Sequence, residues 1–369
     1  MSESTESTDL QYSEVEQELR GNVRALLAAR APQAATLART ESEQPVDTAL
    51  WRALADELGV TGLAVPEKWG GAGAGWRETA VVLEELGRAA APVPYLGSAV
   101  LATAALLAAE ETELLPRVAS GELVAALAVP FGTAPSAPFP SAVRTGSDGR
   151  LHGRARLVAD ARTAGVLLVP ALDRDGSAGL YAVEDFTVVP VVSLDMTRPL
   201  ADLVLDAAAG RRIASGDAAV AVLGTALATG AALLASEQLG VAEWALETTT
   251  AYVKERHQFG RPVGSFQAVK HRLADLWVSV AQLRAVARSA AAAAATGTDL
   301  AVSSALAQAF ASPVAVVAAE EAVQLHGGIG FTWEHPAHLY LKRAKSASIA
   351  LGTADRHRAA LAQLVDLTL

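Results

Sequence analysis

Apolar positions along the chain change their period twice. Over residues 15–120 they recur at helical spacing: Leu50, Ala53, Leu54 and Leu58 lie three or four apart behind Asp47, whose short carboxylate suits an N-cap. Gly70, Gly71, Gly73 and Gly75 interrupt this pattern, and a second helical run follows through Val81, Val82 and Leu86. Over 121–212 the pattern becomes short apolar runs, at 123–129, 165–169, 180–183 and 187–192, separated by Pro, Gly, Asp and Ser. That pattern predicts a small β domain. From 213 to 369 the helical pattern returns in long segments with few breakers, enough for four or five helices of a bundle. The predicted fold class is α+β, mostly helical, in the order helical domain (15–120), β domain (121–212), helical bundle (213–369). The polar, acidic stretch 1–14 reads as a frayed tail and lacks the basic and apolar runs of a signal peptide.

Composition sharpens this picture. The chain has 369 residues, 51% of them hydrophobic and 19% charged, ample for a large core. Zero Cys removes disulfides, thiolate nucleophiles and zinc–thiolate sites together. A formal charge of -10 argues against a nucleic-acid partner, which calls for a basic face. Two runs of membrane-like length carry no charge, 218–236 and 300–319. They are rich in Ala, Gly, Ser and Thr, and the second contains Gln308 and Pro313, so they read as buried bundle helices and not as bilayer spans. The cytoplasm is the expected compartment. The tract 290–295 is all alanine, the best helix former, and reads as helix surface or close packing.

Two segments carry candidate chemistry. The first is Lys254-Glu255-Arg256-His257-Gln258-Phe259-Gly260-Arg261-Pro262-Val263-Gly264-Ser265-Phe266-Gln267, between two long helices. An Arg beside a Phe-Gly turn offers a phosphate clamp, an aromatic face and an approachable backbone; the same residues also read as a solvated inter-helix loop. The second is Gln324-Leu325-His326-Gly327-Gly328-Ile329-Gly330-Phe331-Thr332-Trp333. Its glycines expose N–H groups that suit a phosphate; they also suit a helix C-cap and turn. His335 and His338 have no carboxylate cluster at ligand spacing, so no metal site is expected.

Together these segments resemble the acyl-CoA dehydrogenase family. Val65-Pro66-Glu67-Lys68-Trp69-Gly70-Gly71-Ala72-Gly73 is similar to its N-terminal signature. Arg256 to Gly260, with Phe266-Gln267-Ala268-Val269-Lys270-His271-Arg272-Leu273-Ala274-Asp275, is similar to the middle one, and residues 324–338 to the C-terminal one. The resemblance implies an N-terminal helical domain, a central β domain and a C-terminal four-helix bundle that drives oligomerisation. It implies FAD-dependent α,β-dehydrogenation of an acyl-CoA thioester, in which a glutamate takes the α-proton and flavin N5 the β-hydride. It also implies that Arg256, Gln258, Phe259, Gly260, Phe266, Gln267, Gln324, Gly327 and Gly328 hold the ADP half of FAD, reaching across to a neighbouring subunit's flavin.

Three departures from the family pattern redirect the expectation. The flavin-side loop reads Ala128-Val129-Pro130-Phe131-Gly132-Thr133-Ala134-Pro135-Ser136, and Pro138 and Pro140 would re-route it. Leu157 stands where an aromatic covers the flavin, and Ala159 where a hydroxyl bonds it. The residue before Gly352-Thr353 is Leu351 where the family has its glutamate, and the alternative base position falls near Gly230. The expected role is thus a non-catalytic subunit, FAD being shared with a catalytic acyl-CoA dehydrogenase subunit in an α2β2 assembly similar to those acting on sterol side-chain CoA thioesters. The partner would bind the acyl-CoA, and an electron-transfer flavoprotein would take the electrons. Two alternatives stand beside it: a self-sufficient flavoenzyme using Glu237 or Asp355 as base, and a flavin-free scaffold or thioester-binding protein of the same fold.

Overall fold

The computed structural model describes residues 10–367. Before the sheet come, among the described residues, six α-helices and a π-helical stretch, besides two short 3-10 turns: α1 (Glu14–Arg30), α2 (Gln33–Thr40), α3 (Thr48–Asp56), α4 (Trp76–Arg88), the π-helical stretch Tyr95–Ala102, α5 (Thr103–Ala108) and α6 (Leu115–Ala119). Asp47 caps α3 as its spacing predicts, accepting from Leu50 N at 2.9 Å. The tail expectation needs correcting at its inner end. Residues 1–9 lie outside the described residues, but Tyr12 hydrogen-bonds the buried Glu84, Arg288 covers the Tyr12 ring at 3.9 Å and donates to Leu10 O at 3.0 Å. Ser13 and Glu16 then form a capping box on α1. Those partners come from distant parts of the chain, so nothing in the local polarity of the segment announces them.

Eight strands form one mixed sheet: β1 (Ala125–Leu127), β2 (Val143–Thr145), β3 (Leu151–Ala159), β4 (Val166–Leu172), β5 (Ala178–Val183), β6 (Thr187–Pro190), β7 (Leu200–Ala208) and β8 (Arg211–Ser215). Their order is β6-β7-β3-β2-β4-β5-β8, with β1 parallel to β4 through Ala125–Val166 to Leu127–Leu168. The run expected at 187–192 is shorter than predicted: the strand ends at Pro190, with one further bond from Val191 N to Leu200 O at 3.2 Å. Between Ala155 and Val158 the β3–β7 register slips, and Leu157 takes a φ of 53° at this bulge.

Five helices follow: α7 (Gly216–Glu255), α8 (Gln267–Thr296), α9 (Leu300–His326), α10 (Ala337–Ala347) and α11 (Ala354–Leu364). A two-stranded hairpin, β9 (His257–Gln258) and β10 (Arg261–Pro262), joins α7 to α8. The uncharged runs lie in α7 and α9, which pack on each other, and α7 is buried along most of its middle. Ala290 to Ala294 are buried within the chain, so the alanine tract serves close packing.

Two details explain how the bundle tolerates its sequence. Pro313 interrupts α9 and leaves Ala309 O without its helical donor; Arg358 of α11 supplies one at 3.3 Å. Where α4 crosses α7, a Cβ on Gly240 would stand 1.9 Å from Glu84 O, and one on Gly87 would stand 2.1 Å from Glu237 O. Glycine on both helices lets the backbones touch, which welds the N-terminal domain to the bundle and fixes the height of Glu237 on α7.

Candidate functional site

The two positions expected to carry a catalytic base converge on one point and hold only carbon. Leu351 follows α10 in a left-handed turn, φ 54°, and is fully buried. A Cβ on Gly230 of α7 would stand 3.1 Å from Leu351 Cδ1 and 2.3 Å from Leu101 Cδ2. Leu101, from the π-helical stretch, thus fills the space that a side chain at 230 would need. Sequence reasoning did not single out Leu101, since nothing local marks a π-helical turn in an apolar run.

The three sequence departures are one place in space. Leu351 N donates to Phe131 O at 2.7 Å, and Phe131 N donates to Leu157 O at 3.0 Å. Leu157 N in turn donates to Asp202 Oδ1 at 2.9 Å. The loop 128–136 is therefore pinned by backbone bonds between the β3 bulge and the turn after α10. Phe131 is buried, with Arg198 5.7 Å from its ring centre. Leu157, half exposed, and buried Ala159 offer neither an aromatic face nor a hydroxyl.

Glu237, the alternative base, is committed elsewhere. Arg198 holds it with two hydrogen bonds, the longer at 3.0 Å, and Arg343 with two more at 3.2 Å. Arg343 also donates to Thr197 Oγ1 at 2.7 Å and lies 3.7 Å from Asp195. Burial alone would push the Glu237 carboxyl up, but the guanidinium groups of Arg198 and Arg343 outweigh it and hold it down to about 2. A carboxylate so tightly held is a poor proton acceptor at neutral pH. Asp160 completes the cluster, accepting from Gly97 N at 2.9 Å; burial raises it against the pull of Arg198. Asp355, the other substitute, is exposed on α11 and pairs with Arg358 at 2.7 Å.

The residues expected to face the ADP half of FAD form a second cluster, at the far end of α7. Arg256 caps that helix, its N donating to Tyr252 O at 2.9 Å and its O accepting from Val263 N at 2.7 Å. Its exposed guanidinium has no partner among the described residues. Phe259 and Gly260 form the hairpin turn with φ of 52° and 76°, the double-positive pair that a two-residue turn requires. Phe259 is 90% exposed and meets Phe266 edge-on at 6.2 Å, while Arg261 stacks over Phe266 at 3.8 Å. Gln258 and Gln267 are exposed beside them.

The glycine segment reaches the same end. Gln324 is exposed in the last turn of α9, and Gly327, φ 64°, caps it by donating to Gln324 O. No atom lies within 4 Å of an added Cβ at Gly327 or Gly328, so their backbone is open to approach. Tyr252 stacks on His326 at 4.4 Å, which bridges the two segments. His326 itself is structural: it is buried, its Nδ1 bonds Ala322 O at 2.6 Å, and His335 packs on it at 4.2 Å. Burial, then the neighbouring His326 and His338, hold His335 down at about 4.

Comparison with known proteins agrees with this geometry. The family model described as the acyl-CoA dehydrogenase N-terminal domain matches residues 13–122, and that for the C-terminal domain matches 220–365. The chain is 40% identical to the acyl-CoA dehydrogenase IpdE2 of Mycolicibacterium smegmatis, over 92% of this chain and 95% of that protein. Among solved structures it superposes on a chain of the ChsE4-ChsE5 complex from Mycobacterium tuberculosis with a TM-score of 0.86 and 31% identity, covering 98% of this chain and 100% of the other. It superposes on the Tcur3481-Tcur3483 steroid ACAD with a TM-score of 0.85 and 34% identity, covering 96% and 98%.

Proposed function

The chain belongs to the acyl-CoA dehydrogenase family, oxidoreductases acting on CH–CH bonds, and on that premise we propose that it is the non-catalytic subunit of a heteromeric, FAD-dependent member. The observation that carries this reading is the contact of Leu351 with Gly230. Both base positions are carbon, and Leu101 fills the space that a side chain at 230 would need, so α-proton abstraction falls to a carboxylate of the partner.

The residues present divide by which half of FAD they suit. When bound, FAD supplies the hydride acceptor. Around Leu157, Ala159 and Phe131 the chain presents no stacking face for an isoalloxazine of its own. At the far end of α7, the unpaired guanidinium of Arg256 suits a diphosphate, and the open backbone at Gly327 and Gly328 suits close approach of the adenosine side. Phe259, Phe266, Gln258, Gly260, Gln267 and Gln324 complete that face in this proposal. The exposed ring of Phe259 gives the interface an aromatic anchor.

The partner is a catalytic acyl-CoA dehydrogenase subunit, in an α2β2 assembly with one FAD per heterodimer. The likeness to the ChsE4-ChsE5 complex and to a steroid ACAD supports a partner of this kind and a steroid-derived CoA thioester as substrate, bound through the partner. An electron-transfer flavoprotein is the acceptor and the cytoplasm the compartment in this reading. Co-expression with a catalytic acyl-CoA dehydrogenase subunit, followed by flavin counting, tests it. Two FAD per tetramer, and no flavin on the chain expressed alone, is the expected result. A yellow homo-oligomer that turns over acyl-CoA would contradict it.

A further inference from the structure

Between the end of α9 and the middle of α10 lies a cavity of about 260 Å³ that the subunit reading does not use. Val323 of α9, Leu341 of α10 and Phe331 give it apolar walls. No Asp or Glu lines it, and Glu334, next in the chain, is exposed. One full charge does line it, the ammonium of Lys342. The whole chain carries a formal charge of -10, so its overall field does not draw an anion in. Any preference of this cavity for an acid must therefore come from Lys342 itself.

Lys342 is half-buried, and its Nζ stands 4.6 Å over the Trp333 ring. It has no ion-pair partner among the described residues. Lys345, three residues on in the same helix, is also half-buried but pairs with Glu320 at 2.7 Å. Burial lowers the Lys342 ammonium; Asp195 pulls the other way, from beyond pairing distance, and itself lies 3.7 Å from Arg343. The other polar side chains of the lining do not supply a counter-charge. The Thr332 hydroxyl donates to Ile329 O at 2.9 Å. Both ring nitrogens of His338 are covered and without a hydrogen-bond partner, so this ring enters the wall through carbon. It meets Trp333 edge-on at 4.5 Å, and burial, then Lys342, hold it below the ordinary histidine range, which keeps it neutral. The side-chain donors left free are the Lys342 ammonium and the indole N–H of Trp333. Aromatic walls with free donors and no acid suit an aromatic anion.

We infer that this cavity binds a small aromatic carboxylate, its ring between the apolar walls and its carboxylate on Lys342 Nζ. The inference does not rest on the subunit reading, because every lining residue comes from this chain. The probes are 2-naphthoate and 2-naphthamide, which share a ring and differ in charge. Titrated calorimetrically into the full chain at neutral pH, the acid should bind one per chain and about tenfold more tightly than the amide. That gap is the low end of a charge-assisted bond, as befits a half-exposed lysine. Lys342→Met keeps the apolar stem and should abolish the preference while the amide binds as before. Lys345→Met removes the same charge from the same helix and should leave the preference intact. Equal affinities of acid and amide for the wild-type chain, or no binding of the acid, would overturn the inference. So would an equal loss of preference in Lys345→Met, which would reduce the effect to net charge. Displacement of the acid by FAD would also overturn it, by making the cavity part of a flavin site.

Discussion

Leu351 and Gly230, far apart in sequence and both expected base positions, meet in space: a Cβ on Gly230 would stand 3.1 Å from Leu351 Cδ1. Restoring the acid at that point should not restore an enzyme. Leu351→Glu would bury a carboxylate where a fully buried leucine now packs beside Gly230. We expect a loss of about 3–5 kcal/mol in unfolding free energy, typical of an uncompensated buried charge, and no acyl-CoA oxidation by the chain alone. Chemical denaturation and a dye-reduction assay read the two outcomes. Turnover by the single variant would show that the flavin side has been misjudged.

The Glu237 cluster should set the acid stability of the fold. Its pKa is depressed, so its contribution is fully present above the unfolded value of 4.5 and is lost as pH falls towards about 2. Asp160, raised by burial, works in the opposite sense. Glu237→Gln should leave Arg198 and Arg343 short of a counter-charge and cost about 3–5 kcal/mol at neutral pH. It should also flatten the fall in stability between pH 4.5 and 2, read by urea midpoints across that window. An unchanged acid profile would place the acid sensitivity elsewhere.

The crossing of α4 on α7 rests on two glycines. Gly240→Ala puts a methyl 1.9 Å from Glu84 O, where backbone and not a flexible side chain must move. A loss of about 2–4 kcal/mol is expected, although alanine is the better helix former. Thermal unfolding at or above the wild-type midpoint would mean that the two helices separate freely.

Local signals in the sequence carried the fold further than they carried the site. The Asp47 cap, the helical runs of α3 and α4 and the apolar strands of the sheet depend on neighbours in the chain, and the structure has them. Tyr12 on Glu84, Leu101 against Gly230 and the clamp of Arg343 on Glu237 depend on partners that only the folded chain brings near. That Leu351 is no carboxylate, and that Leu157 and Ala159 carry neither an aromatic ring nor a hydroxyl, was legible in the sequence as separate features. That they share one backbone ladder through Phe131 was not, because it follows from the bulge in β3 and the left-handed turn at Leu351.

The central claim is that this chain completes a cofactor site held mainly by another subunit, and Arg256 tests it most directly. Arg256→Ala lies in an exposed turn after α7, so the complex should still assemble. A charge-assisted hydrogen bond is worth about 1.5–3 kcal/mol, so FAD should bind the variant complex about 10- to 150-fold more weakly. Turnover per bound flavin should change little, since Arg256 lies far along α7 from Gly230 and Leu351. Titration of FAD into deflavinated wild-type and Arg256→Ala complexes measures this. A weakened affinity with unchanged turnover per flavin is the predicted result; an affinity equal to wild type would contradict the account.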